Sequence, residues 1–288
     1  MNKHGRPWAL VLSGGGARGL AHIGVLKGLE AAGFEKPSLV VGTSMGAIIG
    51  GLYACGMTPG EMEHFIIEEF NITDYLDSFV FRINGKVGKL IQTGQILASL
   101  ATQTGIDKGQ RVLKLLESLT GGKNFNETKI PFRCNAADLL SGREVVFSSG
   151  SVARAMRASM SIPVFFEPFA EGGMCLVDGG LLDNMPVHIA REEGYRRVLA
   201  INVNHLDSQE SRDLRSGPQI IYRSLECALH SQELKRESAD LTFNVSDEAT
   251  PFSFFRQREL IELGERTVKA NLKALETFSR PRFGFFGR

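Results

Sequence analysis

Three short stretches hold residue types that could do chemistry together. Gly42-Thr43-Ser44-Met45-Gly46 fits Gly-x-Ser-x-Gly, the pattern of a serine exposed at a sharp strand-to-helix turn. Glycine at 42 and 46 removes side chains that would collide at such a turn. A helix starting near Met45 would aim N–H groups and the positive end of its dipole at developing negative charge. The same pentapeptide also reads as a glycine-rich turn in which Ser44 merely caps the helix. The second stretch is Gly14-Gly15-Gly16-Ala17-Arg18-Gly19. It satisfies Gly-x-Gly-x-x-Gly between an apolar run and a helical pattern, as dinucleotide-binding loops do, and it reads equally as a row of N–H donors for an oxyanion. The third is Asp178-Gly179-Gly180, a carboxylate at the end of an apolar run with unhindered neighbours. Asp-Gly is also a common turn dipeptide, and Asp138 and Asp183 are weaker rivals.

A dinucleotide site calls for an acidic residue about 20 positions on, at the end of the second strand. Here that strand runs into Gly-Thr-Ser-Met-Gly, and Glu35 falls before it. Arg18 in the first turn of a helix opposes the dipole and suits a neighbouring anion or a phosphate. A serine nucleophile needs a base. The histidines are His4, His22, His64, His188, His205 and His230, and a triad in the order serine, acid, histidine would draw on the last three. His188 and His230 fall in helical patterns. His205 follows an apolar strand and is the best placed of the three. Asp178 is the other option: an exposed aspartate has a pKa near 4, but desolvation would raise it toward the range of a working base.

The elements that must position these residues alternate. Residues 8–13 and 39–43 read as short buried strands, with helices at 19–32 and Met45–Cys55, the rhythm of a parallel α/β sheet. Residues 58–122 carry helical patterns at 61–70, 94–103 and 108–120 and a glycine-punctuated 84–88, with no strand except one at 79–83. This insertion is read either as a lid over the site or as helices simply packed on the sheet. Strands return at 132–136, 145–148, 174–177, 198–203 and 241–245. A helix is expected at 151–159 with Ser151 as N-cap, followed by long helices at 220–237 and 259–278 and a polar surface loop at 207–218. The whole chain is expected to form a single domain.

Composition narrows the classes. The chain has 288 residues, 43% hydrophobic and 23% charged, with a net charge of +1. That is the mixture of a globular protein with a sizeable core, and the balance of charge argues against a nucleic-acid partner. Cys55, Cys134, Cys175 and Cys227 are widely spaced, so neither a disulfide framework nor a metal site is expected. Residues 39–57 carry no charge, near the length of a membrane span, but five glycines and Thr43-Ser44 within them favour a buried strand, turn and helix. The apolar run at 8–12 is too short for a signal peptide, which favours the cytoplasm.

In combination, Gly14–Gly19 (GGGARG), Gly42–Gly46 (GTSMG), residues 158–163 (ASMSIP) and Asp178-Gly179-Gly180 resemble the patatin-like phospholipase family over residues 8–203. The resemblance implies a three-layer α/β/α fold with a mainly parallel central sheet. It implies a Ser–Asp dyad with no catalytic histidine, Ser44 the nucleophile and Asp178 the base. The main-chain amides of Gly15, Gly16 and Arg18 would form the oxyanion hole, and Gly14, Gly19, Gly42, Gly46, Gly179 and Gly180 would support the motifs. No cofactor or metal is implied. The substrates would be phospholipids, lysophospholipids or other acyl esters. Interleaved Phe and Arg at 278–288, and Phe252, Phe254 and Phe255, suit either contact with a membrane surface or packing on the core. A dinucleotide-dependent oxidoreductase and a non-catalytic lipid-binding protein on the same fold are the alternatives.

Overall fold

The computed structural model describes residues 7–75, 105–204, 220, 223, 224, 227, 238–245 and 254–280. The strands are β1 (Ala9–Leu12), β2 (Leu39–Gly42), β3 (Gly105–Asp107), β4 (Phe132–Asp138) and β5 (Arg143–Phe147). They continue with β6 (Val164–Phe166), β7 (Phe169–Glu171), β8 (Met174–Asp178), β9 (Val198–Asn202) and β10 (Leu241–Asn244). The main sheet has the order β10-β9-β1-β2-β4-β8-β7, with β5 on the other edge of β4; β3 and β6 form a separate pair. The run from β10 to β4 is parallel, and β5, β7 and β8 are antiparallel additions.

The apolar strands are continuous because both faces of the sheet are covered. Leu10, Leu12, Val40 and Ile201 belong to the larger core cluster. It includes residues of α1 (Ala21–Ala31) and α2 (Met45–Cys55), which follow β1 and β2. Val11, Val41 and Ala200 turn to the opposite face. There they meet Val187, Ile189 and Ala190. The structure thus has a central, mainly parallel sheet with helices on both sides. α1 is preceded by a 3-10 helix, Gly16–Leu20, so the regular helix starts two residues later than the pattern at 19–32 suggests.

After α2 the chain forms α3 (Pro59–His64), opened by a capping box between Thr58 and Glu61, and then a π-helical turn at Phe65–Glu69. The expected elements at 79–83, 84–88 and 94–103 lie outside the described residues, as do the loop at 207–218 and most of the helix at 220–237. α4 (Gln110–Thr120) begins within two residues of its expected start. It is followed by α5 (Val152–Ser159), capped by Ser151 as expected, and α6 (Val187–Glu192). The pattern at 259–278 is two helices, α7 (Gln257–Ala270) and α8 (Leu272–Ser279), interrupted at Asn271. Phe278 packs edge-on against Trp8 and stacks with Phe34. Three short strands, β3, β6 and β7, escape the sequence reading because three residues carry no readable alternation.

One topological detail builds the site. Gly42, the last residue of β2, pairs with Cys134 of β4, and Asp178, the last residue of β8, pairs with Ala136. β5 pairs with both Cys134 and Ala136 from the other side. β2 and β8 therefore lie on the same edge of β4, pointing at each other, and stop two residues apart. At about 3.3 Å per residue, their ends are roughly 7 Å from one another.

Candidate active site

Ser44 sits in the gap between those strand ends. It has φ 54° and ψ −121°, and it is the single non-glycine residue with positive φ among the described residues. Such a backbone costs on the order of 1–3 kcal/mol, and it persists here because neighbours fix it on every side. The Ser44 N–H donates to Ser159 Oγ at 2.9 Å, while the Ala47 and Ile48 N–H groups donate to the Ser44 carbonyl. A side chain at Gly46 would run into the Leu12 and Ser13 carbonyls, and one at Gly42 into the Gly46 backbone. Both glycines are thus required by close approach.

The Ser44 hydroxyl donates to Asp178 Oδ2 at 2.6 Å, and the second carboxylate oxygen accepts the Gly180 N–H at 2.8 Å. The Asp178 N–H in turn donates to the Ser161 carbonyl at 2.9 Å. Burial pushes the Asp178 carboxyl up to about 6, against the lowering effect of the bonds from Ser44 and Gly180. A carboxylate whose recorded partners are a hydroxyl and an amide keeps appreciable proton affinity near neutral pH.

The glycine-rich loop passes directly over this pair. A Cβ on Gly14 would lie 3.1 Å from the Ser44 Cβ. Gly15 and Gly16 stand at the head of the 3-10 helix, where the first main-chain N–H groups have no partner within the helix. Arg18 lies further into that turn, its guanidinium donating to Asn204 Oδ1 at 2.9 Å. A side chain on Gly19 would meet Met45, and Gly179 and Gly180 pack against Asn135 and Asn184. All the motif glycines named from the sequence therefore converge on one place.

The other sequence candidates fare differently. His188 is held between two carboxylates, its Nε2 3.0 Å from Glu144 Oε2 and its Nδ1 3.1 Å from Asp183 Oδ2. Hydrogen bonds to Asp183 and Glu144 push the imidazole up to about 10. Both ring nitrogens are donors, so His188 has no lone pair to offer a serine. These three groups are close enough to ligate a cation, but an imidazole using opposite edges toward two carboxylates has the geometry of a bridging imidazolium. His22 is fully buried, its Nε2 2.9 Å from the Ser13 carbonyl, and desolvation drops its pKa to about 4. His205 and His230 lie outside the described residues. Asp138 is committed to the turn after β4, accepting N–H groups from Leu140, Ser141 and Cys175 and the Ser141 hydroxyl.

Some participants went unnoticed in the sequence. Ser159 and Ser161 hold Ser44 and Asp178 by their backbones, and the only hint was their place in the 158–163 motif. Asn135 accepts the Thr43 hydroxyl at 2.8 Å and donates to Glu144 and to the Asp183 carbonyl, tying the elbow to the His188 bridge.

From Ser44 a cavity of about 410 Å³ opens. α2 contributes Met45, Ile48, Ile49 and Leu52, and α4 contributes Val112, Leu115, Leu116 and Leu119. Each set follows the i, i+3, i+4, i+7 spacing of a single helix face. Met57, Met62, Phe65 and Phe70 line it from the segment between those helices, and Phe254 from the residues before α7. The π-helical turn at Phe65–Glu69 belongs to this wall, in keeping with the tendency of such turns to sit at functional sites.

The fold and site define an α/β protein with a strained serine paired to a carboxylate beneath a glycine-rich loop. Residues 10–191 match the family described as patatin-like phospholipase, and the chain belongs to that family. The family resemblance read from the motifs is thereby borne out over residues 10–191, and the dinucleotide-binding alternative is set aside.

Among relatives, an uncharacterized NTE family protein of Mycobacterium bovis is 30% identical over 205 residues, 71% of this chain and 51% of that protein. The protein named lysophospholipase NTE1 of Mycosarcoma maydis is 33% identical over 205 residues, 70% of this chain and 10% of its own. The matched part of the chain thus spans about half of the mycobacterial relative and a tenth of the fungal one. The crystal structure of VipD from Legionella pneumophila shares the fold at a TM-score of 0.53 and 18% identity, covering 93% of this chain and 67% of that one. Full-length ExoU of Pseudomonas aeruginosa, in complex with SpcU, gives 0.50 and 20%, covering 96% and 54%.

Proposed function

We propose that the protein hydrolyses carboxylic esters of lipids through an acyl-serine intermediate, with Ser44 as nucleophile and Asp178 as its base. The observation that carries this is the 2.6 Å bond from the Ser44 hydroxyl to a buried Asp178 carboxylate at a strained elbow. Asp178 takes the hydroxyl proton as Ser44 Oγ attacks the ester carbonyl, then returns it to the departing alcohol. Water, deprotonated by the same carboxylate, next attacks the acyl-serine and restores the hydroxyl. The main-chain N–H groups of the Gly15–Gly16–Arg18 loop receive the negative charge on the carbonyl oxygen, and one such donor is worth about 3–4 kcal/mol. Every step uses groups of this chain and water.

The apolar cavity beside Ser44 supports an acyl chain as the bound part of the substrate. The name lysophospholipase carried by fungal relatives supports a lysophospholipid or phospholipid as its source. No helix among the described residues is long and apolar enough to cross a membrane, and we propose that the enzyme reaches lipid through contact at the membrane surface. Three exposed side chains support that contact: Leu139 and Leu140 in the turn between β4 and β5, 56% and 72% exposed, and Phe255, 85% exposed beside cavity-lining Phe254. β4 ends on the side of the sheet where β2 delivers Ser44.

A fluorophosphonate probe tests the chemistry. Covalent labelling that maps to Ser44, and that disappears in Ser44→Ala and falls sharply in Asp178→Asn, is expected. Absence of labelling in the folded wild-type protein, or labelling at another serine, removes the proposal. Replacing Leu139 and Leu140 together with serine is expected to weaken co-sedimentation with phospholipid vesicles; unaltered co-sedimentation removes the docking part alone.

A further inference from the structure

The cavity has a direction and an end, and both can be read from the hydrogen bonds around it. α2 starts at Ser44 and stops at Cys55. α4 runs beside it in the same sense. Its first turn is tied to the reactive end, because Arg157 donates both to the Gly109 carbonyl and to Ser161, and the Ser161 carbonyl accepts the Asp178 N–H. Its far end is tied to the far end of α2, because Lys123 Nζ donates to the Cys55 carbonyl at 2.9 Å. The third wall returns along the same path. It leaves from Met57 at the far end, passes Met62, Phe65 and Phe70, and comes back to the start of α4, where Arg111 donates to the Asp74 carbonyl.

We infer that this three-walled channel is a chain-length ruler: an acyl chain esterified at Ser44 lies along α2, and Leu52, Met57 and Leu119 close the channel where it must end. The inference rests on the reading of Ser44 as the acyl acceptor. α2 has 11 residues, about 16 Å at about 1.5 Å per residue. A fully extended chain advances about 1.2 Å per bond, so the channel accommodates on the order of 14 carbons before its tip reaches Leu119. Four methionines, Met45, Met57, Met62 and Met160, line the channel, which suits a flexible apolar guest. The end is firmer than the walls, since the Lys123–Cys55 bond pins α2 and the start of the loop after α4 to each other.

Hydrolysis of saturated p-nitrophenyl esters from butyrate to stearate reads the ruler. The ratio of kcat/KM for myristate to that for butyrate is expected to fall about tenfold or more in Leu119→Trp, since one methylene of misfit is worth about tenfold or more. In Leu119→Ala the best chain becomes longer, a change opposite in sign that a general loss of folding would not produce. Displacement of a fluorescent fatty acid from the Ser44→Ala protein by acids of increasing length measures the same limit without turnover. A length break that shifts in opposite directions in the two variants establishes the ruler. A profile that stays put in both variants, or binding that rises smoothly past stearate, overturns it. If no ester is hydrolysed while the binding break still shifts, the catalytic proposal falls and the channel stands.

Discussion

The molecule holds two carboxylate arrangements that share a network and behave in opposite ways. At one, Asp178 meets the Ser44 hydroxyl and the Gly180 amide, and burial raises its proton affinity to a pKa of about 6. At the other, Asp183 and Glu144 grip His188 and raise the imidazole to about 10. Identical chemistry on paper, a carboxylate within bonding distance of a neutral or basic partner, thus yields a base in one place and a fixed ion pair in the other. The difference lies in the partner. A hydroxyl leaves the carboxylate's charge unbalanced in a poorly solvated site, so a proton is welcome. An imidazolium balances two carboxylates, so its proton is held and no titration occurs near neutrality. Histidine is absent from the proposed mechanism because the one described near the network is already spent.

The contrast can be broken in several places. The largest effect is expected at the dyad: Ser44→Ala and Asp178→Asn should lower kcat/KM for p-nitrophenyl esters by about 10²–10⁴-fold or more, the range of a lost general base or nucleophile. Retention of most activity in Ser44→Ala would remove Ser44 as the nucleophile, and in Asp178→Asn it would remove Asp178 as the base. Next, the pH profile should carry the signature of Asp178. The carboxylate form is the active one, so kcat/KM should rise through a midpoint near 6 and be lost as acid protonates Asp178. A midpoint that vanishes in a His188 variant would transfer the role of base to that residue.

A smaller effect is expected at the joint that holds the elbow. Ser159→Ala leaves the buried Ser44 N–H without its acceptor, which should cost about 1–3 kcal/mol of stability. The loss should appear as a lower Tm, together with a lower kcat, because the strained backbone of Ser44 loses one of its restraints. The smallest change in activity belongs to His188→Gln, expected to stay within about tenfold of wild type, since the residue reaches the elbow through intermediaries, Glu144, Asp183 and Asn135, which meet at Thr43. Its effect should instead be on stability against pH. The bridge contributes fully below the unfolded pKa of about 6.5, and its contribution declines as pH rises through about 10. Thermal melts of wild type and variant should therefore converge in alkali.

Much of this site is legible in the residue types and their spacing. Ser44 and Asp178 stand where apolar runs stop, and a strand end beside small residues is readable from types and spacing alone. The helix Met45–Cys55 and the N-cap at Ser151 follow from local signals that involve neighbours within a turn. The hydrogen bonds that hold Ser44 and Asp178 were not legible. Ser44 and Ser159 are 115 positions apart, and no local propensity describes such a pair. The strands at β3, β6 and β7 were missed for a related reason: each is made by its partner rather than by its own residues.

What the chain determined on its own was a vocabulary: a serine at an elbow, a row of glycines with few side chains to hinder their amides, an aspartate at a strand end, and helices with one apolar face. Local steric and hydrophobic rules write these features into neighbouring residues, so they can be read one segment at a time. The tertiary structure decided which of them meet. It brought β2 and β8 to rest on one edge of β4, left Asp178 buried beside a hydroxyl and His188 clasped between two acids, and laid α2 beside α4 along one apolar cavity. Those outcomes depend on desolvation and on contacts across the whole fold, and proton affinity and cavity shape exist only once the chain has excluded water from around them.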